Sequence, residues 1–265
     1  QVEYSRLDRP FIAPELSHRI AELGRPIHFI DFETSRLALP YHRGMRPYGL
    51  VAFQWSAHTV DALGQDPRHS EWLNATDAWP NQLFAESLRA AIGDEGPVLT
   101  WTQFESATLR QIVPELAAFG HNAPELIAWI ADVTEHRVVD LNRWACADYY
   151  HPGMRGSTSI KRVLEALWRS DPVMRQQLTR WTGMRARPDD DPYLALPPVM
   201  INGVRQDVHE GTGAMRAYQE MMYGAHKHDP AVRDGWAALL KQYCRLDTLS
   251  MVLILEHWRR ATGLA

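Results

Sequence analysis

The sequence predicts an α/β fold in which a mixed β-sheet, an antiparallel meander extended by parallel strands, is flanked by α-helices. Three observations carry this. Strand-like runs at 27 to 33 (IHFIDFE), 50 to 60 (LVAFQWSAHTV) and 68 to 74 (RHSEWLN) follow one another with only loops between them, which reads as a meander. Beyond residue 80, segments of helical period alternate with short apolar runs, the pattern of a sheet covered by helices. Finally, 265 residues with ten tryptophans and 45% hydrophobic side chains are enough to bury a large core.

The elements follow in order. Residues 13 to 23 (APELSHRIAEL) form an amphipathic helix within a lead-in of residues 1 to 26, and the main domain runs from 27 to 265. PNQLFAESLRAAIG is helical with a glycine stop, and PVLTWTQ is a strand. FESATLRQIVPELAAF opens another helix, with Pro114 as a kink or break. HRVVDLN is a further strand, and SIKRVLEALW is a helix capped from the Ser157 to Ser159 cluster. Residues 170 to 212 are rich in Pro, Asp and Gly and read as irregular, part of an insertion of about 170 to 230: a lid, a partner surface or a substrate clamp. A long helix from about Asp234 to Arg260 closes the chain.

Composition excludes several classes. No run approaches the ~18 apolar residues of a membrane helix, and the N-terminus lacks a charged-then-apolar leader, so no membrane partner is expected. Cys146 and Cys244 stand far apart, without zinc-site or disulfide spacing, which sets a reducing, cytoplasmic location as the default. A net charge of −4 argues against a protein that coats nucleic acid. It leaves room for a local basic patch: between Arg155 and Arg187 eight cations face only Glu165 and Asp171, although a solvated helix face explains that run equally well.

Carboxylates carry the chemistry. Alternation in a strand puts Ile27, Phe29, Asp31 and Glu33 on one face and His28, Ile30 and Phe32 on the other. Two acids thus leave a buried strand together. Such a pair costs energy unless a positive group compensates it, and paired oxygens are what a hard divalent ion uses. Taken alone, Asp-x-Glu equally describes a strand end facing water. On the closing helix Tyr243 and Asp247 lie four residues apart, hence on one face, beside Leu239, Leu240, Leu246 and Met251. Asp247 is either an inward acid in need of a partner or a surface acid beside Arg245. Glu105 stands where a strand ends and a helix opens, a position that dipole complementation also explains.

In combination these sites resemble the proofreading-type 3′-to-5′ exonucleases of the ribonuclease-H-like fold: DFET on a first strand, an aromatic-acid pair (Phe104-Glu105) opening a later helix, and Y-x-x-x-D on the last helix. The variant is the one with tyrosine before the final aspartate, called DEDDy. DFET, RPYGLVAFQWS, FES, HPGMRGSTSIKRVL and YCRLDT are together similar to an uncharacterised bacterial domain family assigned to that superfamily. Its members are commonly the C-terminal part of a longer protein, which implies an additional N-terminal domain and suits Gln1 in place of Met. The resemblance implies a ribonuclease-H-like sheet, two divalent cations, Mg²⁺ or Mn²⁺, and a DNA or RNA 3′ end as partner. It further implies that Asp31 bridges the cations, that Glu33 and Asp247 complete the set for the ion activating water, and that Tyr243 orients the water. Glu105 takes a place usually held by Asp, with Asp140 the weaker alternative. The histidine variant would carry His where this chain has Gln242.

Other motifs fail on spacing. His209-Glu210 begins like a zinc-protease motif, but no second His follows, and Gly211-x-Gly213 lacks a third glycine. For the substrate path the expected contacts are Thr34, His42, Arg43, Arg46, Arg155 and Lys161 on phosphates, with Tyr41, Tyr48 or Trp101 stacking on a base. Each of these aromatics suits a core equally. The rival from another class is a non-catalytic nucleic-acid or protein-binding module that keeps the fold, motivated by Glu105 in an aspartate's place.

Overall fold

The structure is a computed structural model that describes residues 2–185, 187–208 and 210–264, so Gln1, Ala186, His209 and Ala265 lie outside the described residues. Strands β1 (Ile27–Ser35), β2 (Val51–Val60), β3 (Arg68–Leu73), β4 (Val98–Thr100) and β5 (Val138–Asp140) form one sheet in the order β3-β2-β1-β4-β5. The first three pair antiparallel, while β4 runs parallel to β1 and β5 parallel to β4. The expected α/β class, a mixed sheet flanked by helices, is what the chain forms.

Alternation along β1 decides the layers. Ile27 and Phe29 enter one core with Leu239, Leu240 and Leu253, whereas Ile30 and Phe32 enter another with Phe84, Leu109 and Trp129. The second core is covered by α2 (Asn81–Ile92), α3 (Phe104–Ala118) and α4 (Pro124–Asp132). The first is covered by α9 (Pro230–Ala261) together with α1 (Pro14–Ala21), α5 (Leu141–Asp148), α6 (Ile160–Ser170), α7 (Pro172–Thr182) and α8 (Gly211–Tyr223). The lead-in belongs to this packing: Leu16 and Ile20 are fully buried, and Phe11–Ile12 pairs with Tyr149–Tyr150. Gly96, at φ +80°, is required before β4, because a Cβ there would meet the Pro26 carbonyl oxygen at 1.9 Å.

Polar contacts fix α9 on the sheet. The Gln54 amide donates to the Leu240 carbonyl at 3.0 Å, and the Thr248 hydroxyl sits 2.9 Å from Ser56 Oγ and 2.8 Å from His58 Nδ1. Ser56 is the cross-strand partner of Asp31. The helix is therefore anchored beside the acid strand.

Four expectations are corrected. Helix α3 runs unbroken through Pro114; the proline forfeits one backbone hydrogen bond, and Leu109, Ile112 and Leu116 on either side hold the helix to the core. Of the strand expected at HRVVDLN only Val138–Asp140 forms, because His136 and Arg137 close a π turn, Val133–Arg137, that follows α4. The irregular reading of 170 to 212 gives way to α7, a hairpin (Val199–Ile201 with Val204–Gln206) and the start of α8. Asp171 caps α7 and Gly183 ends it at φ 74°, so the local signals were present but outweighed by composition. Helix α9 starts at Pro230 rather than near Asp234, because Asp229 accepts from the Ala231 amide and Pro230 fits the first turn.

Asp171 also ties α7 to α9. Its carboxylate accepts from the Val173 and Met174 amides at 2.8 and 3.1 Å, from Arg260 at 2.6 Å and pairs with His257 at 2.7 Å. Burial opposes its ionisation, but the bonds from His257, the Met174 amide and Arg260 outweigh it and hold the carboxyl below the usual range. A carboxylate with a depressed folded pKa stabilises above the unfolded value and loses that effect as pH falls through the folded one. Asp171→Ala is accordingly expected to lower stability by about 3 kcal/mol at pH 7, combining a lost cap and a broken half-buried ion cluster. The difference from wild type should shrink below about pH 3, as urea denaturation across pH will read.

Candidate metal centre

Strand β1 reaches the site through a register irregularity. Glu33 pairs with Gln54 and Thr34 with Ala52, so β2 carries one extra residue where β1 delivers its second acid; bulges commonly re-aim side chains in this way. From α9, whose four-residue spacing aligns them, come Tyr243 and Asp247, both buried. Asp31, Glu33 and Asp247 each offer a carboxylate oxygen, and these atoms all lie within 4.8 Å of one another. Three acids, more than 200 positions apart at the extremes of the sequence, thus meet at one point.

A cavity of about 380 Å³ opens on them. Its lining includes Asp31, Glu33, Thr34, Trp101, Phe104, Glu105, Lys161, Gly211, Tyr243 and Asp247. All five residues expected to be catalytic therefore border one space. Glu105 lies outside the tight three-acid set but enters the cavity from the first turn of α3, only 4% exposed, and its Oε2 has no hydrogen-bond partner.

Electrostatics at the site run against ionisation. Burial pushes the Asp31 carboxyl well above its ordinary value, and the charges of Asp247, Glu105 and Glu33 add to that. Glu33 is raised by burial and by Asp247, with Lys161 opposing. Glu105 is pushed up to about 8 by burial, with a backbone hydrogen bond opposing and the charges of Asp140 and Asp247 adding. Asp247 is raised to about 6 by burial, against hydrogen bonds from Tyr193 and Tyr243 and the charge of Lys161. Burial and the nearby acids push the Tyr243 phenol up, so it stays protonated and acts as a donor.

The fit to a divalent cation follows from these observations. The donor set is all oxygen, the acids converge, and a buried carboxylate oxygen is left unpartnered, which is the chemistry of a hard ion such as Mg²⁺ or Mn²⁺.

The expected substrate contacts divide. Thr34, Trp101 and Lys161 line the acid cavity. Arg46 and Tyr48 line a separate groove of about 390 Å³ with Gln111 and Phe119, and Arg155 lines another with Glu165 and Arg169. Arg43 is exposed on the loop after β1 and borders none of these cavities. Within the loop the Tyr48 amide donates to the Leu37 carbonyl, and Tyr41 stacks on Tyr223 at the end of α8 with centroids 3.9 Å apart. Neighbouring His42 is drawn toward Asp77, while burial lowers its pKa. Trp101 is 7% exposed, donates its indole N–H to the Thr158 carbonyl and forms part of the wall of the acid cavity. Asp140 caps α5, accepting from the Arg143 amide and from Gln103, which leaves it a supporting role.

Three residues at the site were not expected there from the sequence. Tyr193 donates its phenol to Asp247 Oδ1 at 2.6 Å. Cys244 points its thiol at Asp31 Oδ2, 3.4 Å away. Gly211, first in α8, lies close enough that a Cβ there would touch Glu33 Oε2 at 4.0 Å. None carries a local motif; Cys244 alone had a hint, lying beside Tyr243 in the helix.

Residues 28–159 match the model of a domain of unknown function (DUF2779), a span that takes in Asp31, Glu33 and Glu105 and ends before Tyr243 and Asp247. No curated protein and no solved structure matches the chain.

The raised carboxyls set a pH dependence. A carboxylate whose folded pKa exceeds its unfolded value binds protons more tightly when folded, so stability declines as pH rises between the two values. For Glu105 that window runs from about 4.3, its unfolded value, to about 8. Metal-free protein should therefore lose stability from about pH 4.5 to 8 through this cluster. Saturating Mn²⁺ should reverse the trend, raising the melting temperature most at the alkaline end, and Asp31→Asn should flatten both curves in thermal unfolding.

Proposed function

We propose that this protein is a metal-dependent 3′-to-5′ exonuclease of the ribonuclease-H-like, DEDDy type, hydrolysing phosphodiester bonds at a DNA or RNA 3′ end. The observation that carries the reading is the convergence of Asp31, Glu33 and Asp247, with Glu105 and Tyr243 bordering the same cavity. Two further features support it. The strand order 3-2-1-4-5, with the second strand alone running opposite to the other four, is compatible with a ribonuclease-H-like sheet. Acid-bearing segments also occur in the order of that superfamily's motifs.

The residues have distinct roles in this reading. Asp31, Glu33, Glu105 and Asp247 would hold two divalent cations, Mg²⁺ or Mn²⁺, whose chemistry is to lower the pKa of water and to neutralise charge on the phosphate. Tyr243, kept protonated by burial and the acids, donates a hydrogen bond where the attacking water must be oriented. Lys161 supplies a fixed positive charge beside Glu33 and Asp247, close to where a phosphate would sit. Thr34 and Phe104 border the cavity and are placed to meet the terminal nucleotide. No helix among the described residues is long and apolar enough to cross a membrane, and Cys146 and Cys244 are free thiols; we place the activity in the cytoplasm.

One departure favours a second reading. Glu105 stands outside the three-acid set, as a binding module with weakened turnover would have it. Oligonucleotides labelled at either end, incubated with Mg²⁺ or Mn²⁺, decide between them. The expected result is stepwise loss from the 3′ end, stopped by EDTA, reduced ~10³-fold or more by Asp31→Ala or Asp247→Ala, and ~10²-fold by Tyr243→Phe. Digestion that ignores EDTA or Asp31→Ala sinks the proposal. Metal-independent strand binding without digestion selects the module.

A further inference from the structure

Asp247 is held from a segment far outside the acid-bearing motifs. Between α7 and α8 the chain reads DDDPYLALPP, and the Asp191 carboxylate accepts from the Tyr193 and Leu194 amides at 2.8 and 3.3 Å, fixing the turn that presents Tyr193. The segment is docked on α9, since the Gln242 amide donates to the Pro197 carbonyl at 2.8 Å. Tyr193 is 3% exposed. Its phenol donates to Asp247 Oδ1 at 2.6 Å, with Ser250 Oγ at 3.5 Å. That length lies in the range of charge-assisted O–H···O⁻ bonds, roughly 2.5 to 2.7 Å.

The aromatic surroundings are organised around the same point. Tyr193 and Tyr243 have ring centroids 6.2 Å apart, and the Lys161 ammonium lies 4.8 Å above the first ring and 5.2 Å above the second. A carboxylate on a helix can rotate about its own side-chain bonds. Here one oxygen is tied to a rigid phenol, so the group keeps the orientation that brings it within 4.8 Å of the Asp31 and Glu33 ligand atoms.

We propose that Tyr193 is a positioning residue for the metal centre: it orients Asp247 for cation binding, so that the segment between α7 and α8 is part of the site. The assignment rests on the metal-site reading above. It goes beyond that reading because it gives the insertion a role that the acids alone do not require. Donors placed behind a metal ligand typically account for about 10- to 100-fold in metal affinity.

Mn²⁺ titration without nucleic acid, by calorimetry on wild type, Tyr193→Phe, Asp247→Asn and the double variant, tests it, with near-UV circular dichroism of the metal-free proteins as the folding control. The expected result is ~10-fold or greater loss of affinity in Tyr193→Phe, a retained fold, and no additional loss when Tyr193→Phe is added to Asp247→Asn. Wild-type affinity in Tyr193→Phe, or the same further loss in the Asp247→Asn background, overturns the assignment while leaving the metal site standing. Wild type that binds no Mn²⁺ overturns both. Should Tyr193→Phe fold poorly, trifluorotyrosine at position 193 keeps ring and donor but changes acidity: a shifted Mn²⁺ affinity supports the proposal, and an unchanged one rejects it.

Discussion

The structure is organised around carboxylates that repel one another and are nevertheless buried together. Asp31, Glu33 and Asp247 meet within 4.8 Å, with Glu105 bordering the same cavity. Burying one carboxylate without compensation is costly, and each further charge adds to the cost. The raised carboxyls express that penalty. Something must therefore hold β1 and α9 together against the repulsion. The Thr248 hydroxyl between Ser56 and His58, the Gln54 bond to the Leu240 carbonyl and the apolar contacts around Leu239 and Leu253 supply that restraint.

Lys161 decides how far the protein goes toward neutralising its own site. One ammonium lowers the pKa of both Glu33 and Asp247, yet both remain raised. The ammonium lies 4.8 Å from the Tyr193 ring centroid and 5.2 Å from that of Tyr243, so the rings attract the same cation. A lysine placed directly among the carboxylates would occupy the space that makes them useful. The chain thus offsets part of the repulsion, and a cation in the proposed site would offset the remainder.

Much of this was legible because it is local. Period-two alternation in IHFIDFET assigns Asp31 and Glu33 to one face, and four-residue spacing does the same for Tyr243 and Asp247. Ser159 caps α6 as its position ahead of an apolar-periodic run requires, accepting from the Arg162 amide. What was not legible depends on distant partners. Nothing in DPYLAL shows that Tyr193 meets Asp247 54 residues later, and nothing in the basic loop after Ser35 shows that Tyr41 stacks on Tyr223 or that Arg46 lines a groove separate from the acid cavity. Charge and aromaticity mark a loop as able to bind nucleic acid, but packing decides which way it faces. The helices after residue 170 lie between these cases: Asp171, Pro172 and Gly183 are start and stop signals for α7, set in a stretch whose prolines, aspartates and glycines give it the composition of a loop.

Glu105 shows how competing effects are resolved in this site. The first turn of a helix favours an anion by roughly 0.3 to 1 kcal/mol when exposed, so the position alone argues for an ionised side chain. Its pKa is nevertheless raised to about 8, because desolvation outweighs the favourable backbone contact and the charges of Asp140 and Asp247 act in the same direction. Asp140 cannot replace it, since its oxygens are engaged by the Arg143 amide and Gln103, and its charge is needed to cap α5. Glu105 keeps an unpartnered Oε2. Of the two acids at this end of the sheet it is therefore the one free to respond when positive charge enters the cavity, and its extra methylene relative to aspartate gives it reach from a helix start that lies outside the three-acid cluster.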